Sequence, residues 1–295
     1  MDIKSVGVVG CGLMGHGIAQ VCAQKGGWDV VVVEISSEQL EKGLGKIEKQ
    51  LARAVEKGKL EQADADEVRG RIKGTEDLSE LADCDLVIEA ITEDLDLKLE
   101  LWKELDGIVK DEALFATNTS SLSVAEQAGA TSRPAQFLGL HFFNPVQVMP
   151  LLEVVRGEGT DEGTADAGFA FGATLGKTTV AAGDNRGFIV NRLLVPFMLD
   201  AINAYEAGVG SIEDIDQAMI GGASHPMGPI TLADFVGLDT LASIAKVMRD
   251  YYDEERFAAP PTLTKLVDAG HFGRKSGRGY YDYSGEKPVA ADPDS

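Results

Sequence analysis

Residues 6–20 read Val-Gly-Val-Val-Gly-Cys-Gly-Leu-Met-Gly-His-Gly-Ile-Ala-Gln, and no other stretch limits the fold as tightly. The β-branched run Val6–Val9 is expected as a buried parallel strand, and Gly10-x-Gly12-x-x-Gly15 follows it directly before an apolar helical pattern begins. In that context Gly10 permits a tight turn and Gly12 lets the backbone approach a pyrophosphate, with Leu13 and Met14 carried in the turn. Gly15 lets helix and strand pack closely, and the helix N-terminus faces the phosphates. Such a unit binds a dinucleotide. A second apolar run, Val30–Val33, ends at Glu34, nineteen residues after Gly15, where an acid accepts from both ribose hydroxyls. A glycine-rich turn that binds nothing is the alternative, and it leaves strand, spacing and acid unexplained.

With 295 residues, 44% of them hydrophobic and 25% charged, the chain can bury a large core and is expected to divide into two domains. A formal net charge of -21 repels nucleic acid and anionic membrane surfaces, so neither is expected as a partner, and an anionic ligand needs a local basic patch. Cys11, Cys22 and Cys84 form neither a disulfide framework nor a metal pattern with the four histidines; no metal is expected, and a reducing compartment fits. The first strand starts too early to leave room for a leader, and no apolar run reaches the length of a membrane span, so a cytoplasmic location is expected.

After Glu34, Ser37 is expected to cap a helix in which Leu40, Leu44, Ile47, Leu51 and Val55 recur at helical spacing. Opposite them, at 100° per residue, Lys42, Lys46, Lys49, Arg53 and Lys57 share a sector of roughly 80°. This basic face is either an ordinary solvated surface laced with Glu41, Glu48 and Glu56 or a place where anions collect. Further strands are expected at Leu86–Ala90, Leu114–Thr117, Phe137–Phe142, Leu151–Val155 and Thr178–Ala181. Helices are expected at Glu93–Ile108, Val124–Ala128 and Thr164–Leu175, the hydroxyls of Asn118-Thr-Ser-Ser-Leu122 suiting the cap of the second. Seven or eight strands alternating with helices before residue 183 imply an α/β, Rossmann-type, doubly wound and mostly parallel sheet. Beyond Arg186-Gly187 only helical patterns remain: 188–207, 212–219, 230–252 and 262–269, with a frayed tail from Glu286. The expected division is therefore a dinucleotide domain over 1–185 and an all-helical domain over 186–295.

Of the four histidines, His16 sits inside the turn, and His225 and His271 lie in loops where packing or capping is the usual role. His141 lies near the C-terminal end of a strand, where open α/β sheets place their ligand crevice. Twelve residues on, Glu153 falls in the neighbouring apolar run, an odd place for a carboxylate without a partner. A glutamate bonded to one ring nitrogen fixes the tautomer and leaves the other nitrogen to exchange a proton with a hydroxyl. On the residues alone, that dyad and a buried structural histidine both remain open.

Taken together, Gly10-Cys-Gly-Leu-Met-Gly15, Asn118-Thr-Ser-Ser-Leu122, Gly139-Leu-His-Phe-Phe-Asn-Pro145, Gly187-Phe-Ile-Val-Asn-Arg192 and His225-Pro-Met-Gly-Pro229 resemble the L-3-hydroxyacyl-CoA dehydrogenase family. The likeness is greatest to the single-function bacterial 3-hydroxybutyryl-CoA dehydrogenases. It extends to Phe272-Gly-Arg-Lys-Ser-Gly-Arg-Gly-Tyr-Tyr-Asp-Tyr283 and so covers nearly the whole chain. The resemblance implies hydride transfer between NAD and an L-3-hydroxyacyl-CoA, with His141 as acid/base, Glu153 as its partner, and Ser120 and Asn191 on the substrate; Ser120 also touches the cofactor. Around the cofactor it implies Gly10, Gly12, Leu13, Met14, Gly15, Glu34, Glu93, Lys98, Asn144 and Lys275. Lys57 matches a position that touches coenzyme A, and Gln50 and Arg53 on the same helix join it as substrate contacts. Taken alone, Ser120 also suits a helix cap and Asn191 an interhelical bond. Glu34 stands where relatives often carry Asp. A homodimer through the helical domain is implied as well. Two other readings stay open: a related dehydrogenase of a hydroxy acid without CoA, as in the crystallin-like branch, and a non-catalytic NAD-binding protein.

Overall fold

The computed structural model describes residues 3–293, and the chain divides into two compact units, the first ending at Phe188 and the second starting at Ile189. The first unit is built on one eight-stranded sheet: β1 (Ser5–Val9), β2 (Asp29–Val33), β3 (Ile72–Thr75), β4 (Leu86–Glu89), β5 (Leu114–Thr117), β6 (Phe137–Phe142), β7 (Leu151–Arg156) and β8 (Thr178–Gly183). Their spatial order is 3-2-1-4-5-6-7-8. β1 to β6 run parallel, β7 turns back against β6, and β8 runs parallel to β7. Helices α1 (Gly15–Val21), α2 (Ser37–Glu56), α3 (Gln62–Gly70), α4 (Leu95–Ile108), α5 (Val124–Ala128) and α6 (Glu162–Thr174) make the connections. The winding reverses at β1, and a sheet of this kind opens its ligand crevice there, at the C-terminal ends of the strands.

Both faces of the sheet are covered, which is why its strands read as valine-rich runs rather than as alternating ones. Val6, Val8, Val30, Val32 and Ile88 pack with Ile18 of α1 and Ile47 and Leu51 of α2 on one face. Val9, Val33, Val87, Phe115 and Phe137 pack with Trp102 and Leu105 of α4 on the other. Trp102 is fully buried, its ring centroid 4.7 Å from that of Phe137 and 5.1 Å from that of Phe115, and its Nε1–H donates to Gln127 Oε1 at 3.1 Å.

The second unit consists of α7 (Val190–Glu206), α8 (Ile212–Ala223), α9 (Pro229–Val236), α10 (Leu238–Tyr252) and α11 (Pro261–Asp268), closed by the short pair β9 (Tyr281–Asp282) and β10 (Val289–Ala290). Two buried carboxylates fasten it. Asp216 of α8 accepts from Ile230 N, Thr231 N, Thr231 Oγ1 and the Tyr281 hydroxyl. Asp234 of α9 accepts from Tyr280 N, Tyr281 N and the Tyr283 hydroxyl, and burial pushes its carboxyl up to about 6.

Several expectations need correction. β3 and α3 occupy residues where no element was expected. Ser36, not Ser37, caps α2, its side chain accepting from Gln39 N. Ser123 caps α5, accepting from Glu126 N. The helix expected over 230–252 is two, broken at Gly237, whose φ of +102° ends α9. α7 starts at Val190 rather than at Phe188. The helical unit does contain strands, and the tail expected to fray is held through Ala290, with Ala291 N donating to Tyr280 O; its last two residues lie outside the described ones.

Candidate active site

The turn after β1 is shaped by its glycines. Gly10 holds φ +95°, and a Cβ on Gly15 would lie 1.8 Å from Gly10 O, so neither position accepts a side chain. Gly12 is exposed, with nothing within 4 Å of where a Cβ would point. Met14 precedes α1 without giving it a side-chain cap, which leaves the turn's backbone donors for a phosphate. Glu34, at the end of β2, accepts from Cys11 N at 2.7 Å and from Ile35 N at 2.9 Å, so the acid is anchored against the turn. Its oxygens keep lone pairs for hydroxyl donors. Leu13 is 64% and Ile35 82% exposed, apolar surface of the kind an adenine ring covers. The open glycine, the anchored acid and these two side chains fit a dinucleotide. Ile35 was not read from the sequence; its signal was an apolar residue directly after the acid.

His16 ties the turn to α2. Its Nδ1 lies 2.6 Å from Gly12 O, an acceptor only, so Nδ1 carries the proton; Nε2 then accepts from Gln50 Nε2 at 3.3 Å. Burial pushes this imidazole below its usual pKa, the Gly12 bond opposing and Lys46 adding to the shift, in keeping with a neutral ring. Gln50 thus sits beside the turn. Arg53 and Lys57 are exposed at the C-terminal end of α2, and among the described residues no ion pair involves Lys42, Lys46, Lys49, Arg53 or Lys57, whereas Glu48 is taken by Arg69.

At the ends of β4 and β5 a buried ionic group moulds the Ser120 loop. The Lys98 ammonium, 1% exposed, lies 2.6 Å from Glu89 Oε1 and 3.1 Å from Glu93 Oε2. Glu89, fully buried, also accepts from Ile91 N at 2.8 Å and from Thr117 Oγ1 at 2.7 Å. Glu93 Oε1 accepts from Thr119 Oγ1 at 2.6 Å, Ser120 N at 2.9 Å and Ser121 N at 3.1 Å. Burial pushes the Glu93 carboxyl up, but Lys98 and these donors outweigh it and hold it below the usual carboxylate range. Ser120 Oγ lies 3.3 Å from the same oxygen, so Ser120 belongs to the loop rather than to the cap of α5.

His141 and Glu153 are direct cross-strand partners on β6 and β7, and His141 Nδ1 lies 2.6 Å from Glu153 Oε2. Both are buried, at 5% and 0% exposure. The imidazole is flanked by Phe143, centroids 4.5 Å apart, and Phe188, 5.4 Å apart. A carboxylate here orients the ring, stabilises its protonated form and leaves Nε2 for a ligand hydroxyl. Asn118, whose Oδ1 accepts from Phe142 N at 3.0 Å, ties the Ser120 loop to the end of β6. Asn144 is exposed just beyond it. Phe188 holds φ +48°, a conformation that costs a bulky residue about 1–2 kcal/mol; the sequence did not mark it or Asn118 as a site residue, although they stand in Gly187–Arg192 and Asn118–Leu122.

In the second unit, Asn191 is half-buried on the first turn of α7. Lys275 lies 2.5 Å from Asp239, on the first turn of α10.

Comparison with known proteins gives two family matches. Residues 5–185 match the 3-hydroxyacyl-CoA dehydrogenase NAD-binding domain and residues 187–283 the C-terminal domain of the same family. A 3-hydroxybutyryl-CoA dehydrogenase of Mycobacterium tuberculosis is 48% identical over 283 residues, covering 95% of this chain and 99% of its own. One from Bradyrhizobium diazoefficiens is 46% identical over 287 residues, covering 97% and 98%. The crystal structure of M. tuberculosis FadB2 superposes with a TM-score of 0.94 at 47% identity, over 96% of this chain and all of that one.

Proposed function

The chain belongs to the 3-hydroxyacyl-CoA dehydrogenase family, and from that premise we propose that it interconverts an L-3-hydroxyacyl-CoA, 3-hydroxybutyryl-CoA before longer chains, and the 3-ketoacyl-CoA, with His141 as acid/base. It is an NAD-dependent oxidoreductase. The observation that carries the residue assignment is the buried His141–Glu153 pair at the sheet edge that the glycine turn opens.

The Gly10–Gly15 turn and Glu34 would hold NAD, which would supply the acceptor or donor of the C3 hydride. In the oxidising direction His141 Nε2 accepts the hydroxyl proton as the carbonyl forms, and Glu153 stabilises the resulting imidazolium. In the reducing direction the protonated ring donates to the developing alkoxide. General acid/base work of this kind contributes about 10²–10⁴-fold. Ser120, fixed by Glu93, orients the substrate oxygen. Arg53 and Lys57 meet the coenzyme A phosphates, with Gln50 beside them. Phe143 and Phe188 keep water from the imidazole, which strengthens its bond to Glu153.

A homodimer joined through the helical unit and a cytoplasmic setting complete the reading. Supporting it, the three cysteines are free and buried, and no helix among the described residues is long and apolar enough to cross a membrane. The test is NADH oxidation with a ladder of 3-ketoacyl-CoA lengths and the matching free acids. Turnover is expected to be highest with the four-carbon thioester and to be lost without CoA. Equal activity on free acids overturns the substrate class, and inactivity throughout overturns the enzyme reading.

A further inference from the structure

We infer that Glu89, Lys98 and Glu93 form an electrostatic element that makes this protein hold the oxidised cofactor more tightly, relative to the reduced one, than its dinucleotide fold alone would. The inference rests on the functional reading above. Glu89 is fully buried, its oxygens turned to Lys98, Ile91 N and Thr117 rather than to the surface.

Topology comes first. The phosphate turn follows β1 and the acid/base histidine lies on β6, and between these strands the sheet places only β4 and β5. Three strand spacings of about 4.8 Å put roughly 14 Å of sheet edge between turn and histidine. Hydride and proton leave the same substrate carbon and its oxygen, so a cofactor bound at the turn and reacting beside His141 passes over the ends of β4 and β5. Those ends carry the Glu89–Lys98–Glu93 group.

Charge comes second. Glu89 is surrounded by donors only: the Lys98 ammonium and Ile91 N at Oε1, the Thr117 hydroxyl at Oε2. An acceptor-only carboxylate suits all three, while a protonated acid would turn a hydrogen towards one of them. Glu93 is likewise met by Lys98, Thr119, Ser120 and Ser121. Two carboxylates share one ammonium, so the group carries one negative charge in surplus. Lys98 and Glu89 are both buried, whereas the Glu93 side chain is 35% exposed, so the carboxylate of Glu93 is the charge of the group nearest the open side. The nicotinamide ring is cationic in NAD and neutral in NADH. A surplus negative charge attracts the first and is indifferent to the second. For one unit charge about 10 Å away, partly shielded by Lys98, the preference amounts to about three- to tenfold in affinity.

The experiment measures dissociation constants of NAD, NADH and ADP-ribose on the full chain at low salt, for wild type, Glu89→Gln and Glu93→Gln. Each substitution keeps the side chain's size and removes one negative charge. The ratio of the NAD to the NADH constant is expected to rise about three- to tenfold in both variants, with ADP-ribose binding unchanged because it lacks the ring. Should Glu89→Gln fail to fold, Glu93→Gln, on the more exposed partner, decides. An unchanged ratio in a folded variant, or equal weakening of all three ligands, overturns the inference and leaves the group a structural brace. Wild type that binds neither cofactor form overturns the functional reading as well, whereas wild type that binds both while the ratio stays fixed overturns only this inference.

Discussion

The Nδ1 of His141 is bonded to a carboxylate that no water reaches, so the ring has one orientation and one free nitrogen. His141→Gln keeps a polar side chain in the space but offers no group that takes a proton. Turnover is expected to fall by roughly 10²–10⁴-fold with NADH affinity near that of the wild type, as steady-state kinetics and NADH fluorescence titration will show; a variant keeping most of its turnover removes His141 from the chemistry. This pair was half legible in the sequence. A histidine at a strand end and a glutamate in the next apolar run were visible, but the register that sets residue 141 opposite residue 153 belongs to the antiparallel turn of the sheet. Glu89 carried the same signal, a carboxylate in an apolar strand, and was not picked out because Lys98, its partner, stands on a helix with ordinary spacing. Glu34 was legible as the acid after β2, but not its bond to Cys11 N, which depends on how the turn folds back.

Elements were legible in proportion to the apolar surface they bury. The valine strands and α4 stood out, whereas β3, Ile-Lys-Gly-Thr, has a single large apolar residue and pairs along one side only, with β2. α3 buries only Ala65 and Val68. The break between α9 and α10 depends on one glycine with positive φ, and β9 and β10 are two residues each. α2 was read in outline, with its cap one residue off, and its basic face raises a question of function. Its cations are free of ion pairs among the described residues, an unusual arrangement on a chain of charge -21. If the C-terminal end of α2 meets the coenzyme A phosphates, Arg53→Glu with Lys57→Glu raises the KM for acyl-CoA substrates, most steeply at low salt, and hardly alters kinetics with an acyl-pantetheine lacking the nucleotide. Equal damage with both substrates indicates a distorted helix; no damage with either indicates a solvated face.

The cores on the two faces of the large sheet and the core among the helices account for the change of texture near residue 187: strands give way to amphipathic helices because the helical core is built by helices packing on one another, with only the short β9–β10 pair beside them. Association of two whole chains sets apolar burial against repulsion, since each carries -21. Along α7 and its cap, Ile189, Leu193 and Phe197 follow at intervals of four and share one face; Ile189 is 40% and Leu193 66% exposed. Asn191, two residues from each of the first two, points some 200° away, so the apolar stripe can be altered without touching the proposed substrate contact. Screening shortens to about 8 Å at physiological ionic strength, so a dimer through this stripe strengthens as salt rises, the reverse of what ion pairing would give. Light scattering is expected to find a mass twice the 31.3 kDa chain in moderate salt and a shift towards one chain for Leu193→Glu, whose two added carboxylates face each other or the partner's apolar stripe. A wild type that stays at one chain mass at every salt concentration rejects the dimer, and a Leu193→Glu variant that stays dimeric moves the interface off this face of α7.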